Sequence, residues 1–248
     1  MRGVKLDVLD HGFVRLVDFM GDDNSVVRAA RVSYDAAWRA GEDQGSDARL
    51  IKYLWGHGHT TPFEAVTFTF EVKAPIFVIR QWHRHRTWSY NELSARYREL
   101  PEDFYLPEPH LVGIQSSSNK QMRDVQVDGD DRVGDIEEIE AICRAAFVKY
   151  RELIARGWPR ELARMVLPLN TYTHMFASVN LLNLFKFATL RCDTHAQLEI
   201  RVYADAMIAL IKDHVPVSVA AWGAGRPSSA NTTPTKPIQH VRAADDVQ

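Results

Sequence analysis

Residues 84–96 read Arg-His-Arg-Thr-Trp-Ser-Tyr-Asn-Glu-Leu-Ser-Ala-Arg, bringing Arg84, Arg86 and Arg96 together with His85, Glu92 and the small polar side chains of Ser89, Asn91 and Ser94. An ordinary solvated face mixes lysine with glutamate. A guanidinium instead offers a planar fork of donors and no acceptor, which suits a phosphate or the edge of a pyrimidine. The chemistry of this run is therefore anion binding and base reading. A bland alternative stays open: an internal network in which Glu92 pairs with Arg96 along a helix while Ser89 and Glu92 make a capping box. One carboxylate cannot saturate three guanidiniums, and that favours an external anion.

A second cluster, residues 190–197, reads Leu-Arg-Cys-Asp-Thr-His-Ala-Gln. Asp193 or Thr194 is expected to cap a helix here, and a helix start beside Arg191 favours an anion, although a plain capped helix with a surface arginine fits as well. Cys192 beside Arg191 reads as a small buried thiol and not as a nucleophile. His57, His59, His83 and His85 have ligand-like His-x-His spacing, but the arginines around His83 and His85 repel a cation, so no metal is expected. His59, in a glycine-flanked turn before Thr60, Thr61 and Pro62, could stack on a planar ligand or relay a proton. No glycine-rich phosphate loop occurs, which leaves side chains to hold any nucleotide.

The elements that must position these groups follow from pattern. Apolar runs at 4–9 and 13–20 flank Asp10-His11-Gly12 and predict paired strands. Asp23 or Asn24 should cap a helix through Arg31, and Ser46 or Asp47 another through Leu54, stopped by Gly56-His57-Gly58-His59. Val66, Phe68, Phe70 and Val72 alternate with polar residues, the period of a half-buried strand. Pro75 should open a helix that carries Arg80, Gln81 and Arg84 near its end. Residues 113–134 read as a long exposed loop. A strong amphipathic helix runs from Asp135 to Gly157, with Ile139, Ile142, Ala146, Phe147 and Tyr150 on one face. A short helix after Pro159 reaches Arg164, residues 169–179 read as a strand, and helices follow at 180–190 and 194–214. Beyond Gly223 the chain is rich in Pro, Ser, Thr and Ala, so a disordered or loosely docked tail is expected.

The chain has 248 residues, of which 46% are apolar and 25% charged, a globular composition. Its formal charge of −2 argues against wholesale nucleic-acid binding. That class survives only as a module in which Trp82, Trp88, Tyr90 and Tyr97 stack bases among the arginines. Two cysteines without paired spacing, Cys143 and Cys192, fit a reducing cytoplasm. No window approaches the roughly 18 apolar residues of a membrane span, and no export signal is read.

The run 84–96 matches every fixed position of the motif RHRxxSxNExSxR, and in it the chain resembles the flavin-dependent thymidylate synthases, the ThyX family. The resemblance covers residues 4–222, including 58–64, 73–78 and 190–197. It implies an α+β fold with a mixed or antiparallel sheet flanked by helices, a single domain over 1–222 with a tail at 223–248, and a homotetramer with active sites between subunits. It further implies conversion of dUMP to dTMP, with methylenetetrahydrofolate as carbon donor and NADPH as reductant through FAD. By the same resemblance Gln81, Trp82, His83, Arg84, Arg164 and Arg191 contact dUMP, as do Glu92, Leu93, Ser94, Ala95 and Arg96 of a neighbouring chain. Thr61, Arg84, His85, Arg86, Glu92, Asn180, Leu181, Leu182, Lys186 and His195 contact FAD. Arg191 and His59 are the expected catalytic residues, with Arg191 holding the uracil edge and His59 facing the folate and flavin rings. Two departures stand out. The family pattern Asn-x-Arg reads Asn180-Leu181-Leu182 here, and Lys186 replaces the usual Asn or His.

Overall fold

The computed structural model describes residues 2–124 and 132–225. A five-stranded antiparallel sheet is its centre, built from β1 (Lys5–Val8), β2 (Gly12–Met20), β3 (Thr67–Pro75), β4 (Ser89–Glu92) and β7 (Tyr172–Asn180), in the order β1-β2-β3-β7-β4. A two-stranded hairpin, β5 (Ile114–Gln115) and β6 (Arg123–Asp124), stands apart from it. Alternation in β3 places Phe68, Phe70, Val72 and Ala74 on one face, fully buried, opposite Val179, Ala177, Met175 and Thr173 of β7. Helices α7 (Leu181–Arg191) and α8 (Leu198–Ile211) supply Phe185, Phe187, Tyr203 and Met207 to this core. At Gly12 the sheet approaches α8 so closely that a Cβ would lie 2.1 Å from the Tyr203 hydroxyl, which donates to the Lys73 carbonyl at 2.7 Å.

The remaining helices frame the sheet: α1 (Asp23–Arg31), α2 (Gln44–Gly56), α3 (Ile76–Trp82), α4 (Pro109–Val112), α5 (Arg132–Ala155), α6 (Arg160–Ala163) and α9 (Pro216–Ala224). The long helix α5 builds a satellite core, with Cys143, Phe147 and Tyr150 packed against Phe104 and Ala163. Among the described residues no helix is long and apolar enough to cross a membrane.

Several expectations are corrected. The cap of α1 is Asp22, in a capping box with Ser25, and α2 is capped by Asp43. Asp47, expected as a cap, is buried against Arg31 at 2.5 Å and accepts from the Gly41 N–H at 2.7 Å. The loop 113–134 carries the β5–β6 hairpin up to residue 124, and α5 starts at Arg132. Arg123 of that hairpin reaches Glu199 of α8 at 3.0 Å, where the Tyr105 hydroxyl also donates to the buried carboxylate. The tail expected at 223–248 lies outside the described residues from 226 onward.

Candidate active site

Helix α3 carries Arg80 and Gln81 on its outer side and buries Val78, Ile79 and Trp82, so its end is anchored in the core. The chain then turns, with the His83 N–H returning to Ile79 O at 2.9 Å and the His85 N–H to Trp82 O at 2.9 Å. Trp88, buried again, leads into β4, which pairs with β7 at the edge of the sheet. Two anchors therefore hold a short polar connection between them. Within it Arg84 and Arg86 are exposed, and among the described residues neither guanidinium has an ion pair or hydrogen bond, although the Arg84 N–H donates to Gln81 O at 3.2 Å. A cleft of about 460 Å³ opens here, lined by His83, Arg86, Trp88, Tyr90 and Glu92.

The cleft wall is rigid. The Tyr90 hydroxyl donates to His85 O at 3.0 Å, the ring of His83 lies edge-on to Tyr90 at 4.7 Å, and Trp88 and Tyr90 stack at 6.1 Å. His83 Nε2 is shielded from solvent and has no partner.

Arg191 ends α7, where a positive charge is favoured by the carbonyl end of the helix. Its Nε donates to His85 Nε2 at 3.1 Å, joining the 190–197 cluster to the arginine run. His85 is half-buried, and burial together with the Arg191 charge lowers its pKa from 6.5 to about 4. The ring is neutral near pH 7, which is what lets Nε2 accept. Because the unfolded chain binds a proton near pH 6.5 and the folded ring does not until about 4, this site's stability contribution is complete above 6.5 and is lost as pH falls toward 4. Denaturant titrations at pH 7.5 and 5.0 should show the native protein losing about 1 kcal/mol more than His85→Gln, after discounting for the half-exposed ring. Equal losses would contradict it.

A further residue enters that pattern reading left without a role. Gln81 Nε2 donates to Gln197 Oε1, tying the end of α3 to the residue preceding α8. The motif around Gln197 was visible, but nothing local signals a partner 116 positions away.

Other expected site residues are placed as follows. Glu92 lies in a strand, accepts from Thr173 Oγ1 at 2.7 Å and is not the helical partner of Arg96. Arg96 instead lies 3.4 Å from Glu161, both exposed, and Arg164 Nε donates to Glu161 O at 3.3 Å. The internal network centred on Glu92 is therefore excluded. Trp82, Ala95, Leu181 and Leu182 have buried side chains, and Leu93 is half-buried with its N–H bonded to His174 O. Trp82 and Leu181 have no exposed surface at all, and the Leu181 N–H is bonded to Val66 O at 2.8 Å. Ser94 Oγ accepts from the Arg96 N–H at 3.3 Å. Asn180 caps α7, its Oδ1 accepting from Asn183 N, which leaves the amide nitrogen available. Lys186 is exposed.

No helix begins at Asp193 or Thr194. The Asp193 carboxylate accepts from the His195 N–H and lies 2.7 Å from His195 Nδ1, and α8 starts only at Leu198. Among the described residues His59 and Thr61 are not joined to the arginine run by any hydrogen bond, ion pair or ring contact; His59 is exposed, with its ring edge-on to Tyr53 at 6.1 Å. The base-stacking alternative loses its platform, because Trp82 and Trp88 are buried and only Tyr97 of its four aromatics stands fully exposed.

A model of the family described as thymidylate synthase complementing protein matches residues 15–217. The flavin-dependent thymidylate synthase of Gluconobacter oxydans (strain 621H) is 49% identical over 219 residues, 87% of this chain and 71% of that protein. The enzyme of the same name from Thermotoga neapolitana is 47% identical, across 88% of this chain and 94% of the relative. Among solved structures, a UMP/dUMP methylase, PolB from Streptomyces cacaoi, bound with 5-Br dUMP, superposes with a TM-score of 0.81 at 37% identity, covering 88% of this chain and 97% of that one. Agreement in sequence and in fold across nearly the whole described chain leads to one assignment: this chain belongs to the flavin-dependent thymidylate synthases.

Proposed function

We propose that this chain methylates dUMP to dTMP, taking the carbon from methylenetetrahydrofolate and reducing equivalents from NADPH through FAD. The observation that carries the reading is the pair of unspent guanidiniums, Arg84 and Arg86, beside the cleft walled by His83, Trp88, Tyr90 and Glu92. Donors without acceptors on a rigid turn suit phosphate-bearing ligands. The residues also fit FAD: Arg84, Arg86 and exposed Lys186 offer positive charge, and the Asn180 amide nitrogen remains free to donate. When bound, FAD supplies the hydride store between NADPH and the nucleotide.

Arg191 holds the uracil edge in this reading. A guanidinium against the ring stabilises charge at N3, which raises electron density at C5, the atom that takes the methylene carbon. His85 and the C-terminal end of α7 keep that guanidinium in place. Ser94 and Arg96 bind the nucleotide phosphate together with Arg164, and His59 faces the folate. Gln81, tied to Gln197, presents its remaining carbonyl oxygen to the base.

No enzyme thiol takes part. Cys143 and Cys192 are both buried, and Cys143 Sγ sits 3.5 Å from Asn170 Oδ1 in the satellite core. The double variant Cys143→Ser/Cys192→Ser should stay within about threefold of the native rate once folded, because small buried cysteines act as packing groups. A folded but inactive double variant would overturn the thiol-free route.

The working assembly in this proposal is a homotetramer whose subunits complete one another's sites. Support comes from exposed apolar side chains flanking the binding arginines: Tyr97 near Arg96, and Met165 and Leu169 near Arg164. Light scattering on the purified protein should return the mass of four chains; a monomeric mass with full activity would refute it. The central test is anaerobic single turnover of reduced, flavin-loaded protein with dUMP and methylenetetrahydrofolate. It should yield dTMP, and formation of no dTMP would reject the assignment.

A further inference from the structure

We propose that His85 is a positioning residue for Arg191: its uncharged imidazole accepts the Arg191 Nε proton, turns the outer edge of the guanidinium toward the nucleotide, and leaves the positive charge uncancelled. The inference rests on the reading that Arg191 binds dUMP.

The geometry is specific. The Arg191 Nε to His85 Nε2 bond is 3.1 Å, and among the described residues it is the one hydrogen bond the guanidinium makes, so both Nη groups remain free to donate. The residue is held at ring and backbone. Phe187, one helical turn before Arg191, meets the ring edge-on at 4.9 Å and 77°, and the Tyr90 hydroxyl donates to the His85 backbone carbonyl at 3.0 Å. Phe187 is itself wedged between Trp82 at 5.0 Å and Trp88 at 5.1 Å. The core thus reaches the guanidinium through a single ring. Since Nε2 accepts, the proton of the neutral ring sits on Nδ1.

A histidine suits this place better than a carboxylate. Aspartate or glutamate would also accept from Nε, but its negative charge would cancel that of Arg191 and compete with an anionic base or phosphate. An imidazole gives direction without charge. Its lowered pKa, about 4, agrees with that state. This role differs from an independent contact between His85 and flavin, because it acts wholly through Arg191.

A double-mutant cycle separates the two. Equilibrium dUMP binding to the flavin-loaded protein is measured by calorimetry, and retained flavin by absorbance, for His85→Phe, His85→Gln, Arg191→Ala and His85→Phe/Arg191→Ala. Removing the acceptor should weaken dUMP about tenfold or more, while glutamine, which keeps a neutral acceptor, should restore affinity to within about threefold. In the Arg191→Ala background His85→Phe should add less than about twofold, with flavin content unchanged. Multiplying effects in the double variant, or a flavin loss as large as the dUMP loss, would overturn the inference. Arg191→Ala binding dUMP like the native protein would instead sink the reading of Arg191 itself, and this inference with it. Should His85→Phe not fold, His85→Gln against His85→Glu decides. Both supply an acceptor, only the carboxylate should weaken dUMP, by about tenfold, and equal affinities would refute the role of charge.

Discussion

Replacing Arg191 by alanine is expected to leave the protein folded and flavin-loaded while lowering dTMP formation about 10²–10³-fold, the usual loss when an oriented donor to developing charge is removed. The fold should tolerate the change. Arg191 is half-buried at the last turn of α7, and among the described residues the one hydrogen bond of its guanidinium goes to a neutral ring, so removing it strands no buried charge. The stability cost should stay near 1 kcal/mol. Its neighbours Leu190, exposed, and Cys192, buried, keep their places through the helix and its Cys192 N–H to Ala188 O bond of 2.8 Å. Rates are read by product analysis, folding by denaturation and flavin by absorbance. Turnover within a few-fold of native would remove Arg191 from the chemistry, and loss of flavin would reassign it as a cofactor residue.

The sequence singles out Arg191, but its link to His85, 106 positions away, has no local signal. The sequence suggested a helix start at Asp193 or Thr194; Arg191 instead terminates the helix before it, and Asp193 turns its carboxylate onto His195. Local signals failed wherever a distant partner outbid them. Ser89 and Glu92 had the spacing of a capping box, yet 89–92 forms a strand because β7 offers it a ladder, Ser89 opposite Ser178 and Glu92 opposite Met175. Asp23 was expected to cap α1. Its carboxylate caps α9 instead, accepting from Val217 N, Ser218 N and Ser218 Oγ, a partnership 194 positions long for the first of these. Helix α9 itself was unread, since Pro216 at its first position looks like a stop unless the chain has already turned. By contrast β3, α3 and α7 were readable, because each is dominated by burial of its own periodic apolar face.

Trp82 is a motif residue whose side chain belongs to the core. The resemblance assigns Trp82 to the nucleotide, but its ring is fully buried, stacked on Phe187 at 5.0 Å and edge-on to Trp88 and Tyr203. The whole residue is buried, and the Trp82 carbonyl already accepts from the His85 N–H at 2.9 Å. Trp82→Ala should therefore act through the fold, costing about 3–5 kcal/mol for the lost packing and the cavity left behind. For a chain of this size that is a melting temperature lower by about 6–20 °C. Trp82→Phe should cost less, since it keeps an aromatic ring and deletes an indole N–H that has no partner. Its affinity for dUMP, measured well below the transition, should match that of the native protein. If Trp82→Phe kept its melting temperature and instead lost dUMP affinity, the ring would have to leave the core to meet the nucleotide, and the anchor that holds Gln81, His83 and Arg84 at the cleft would no longer be this side chain.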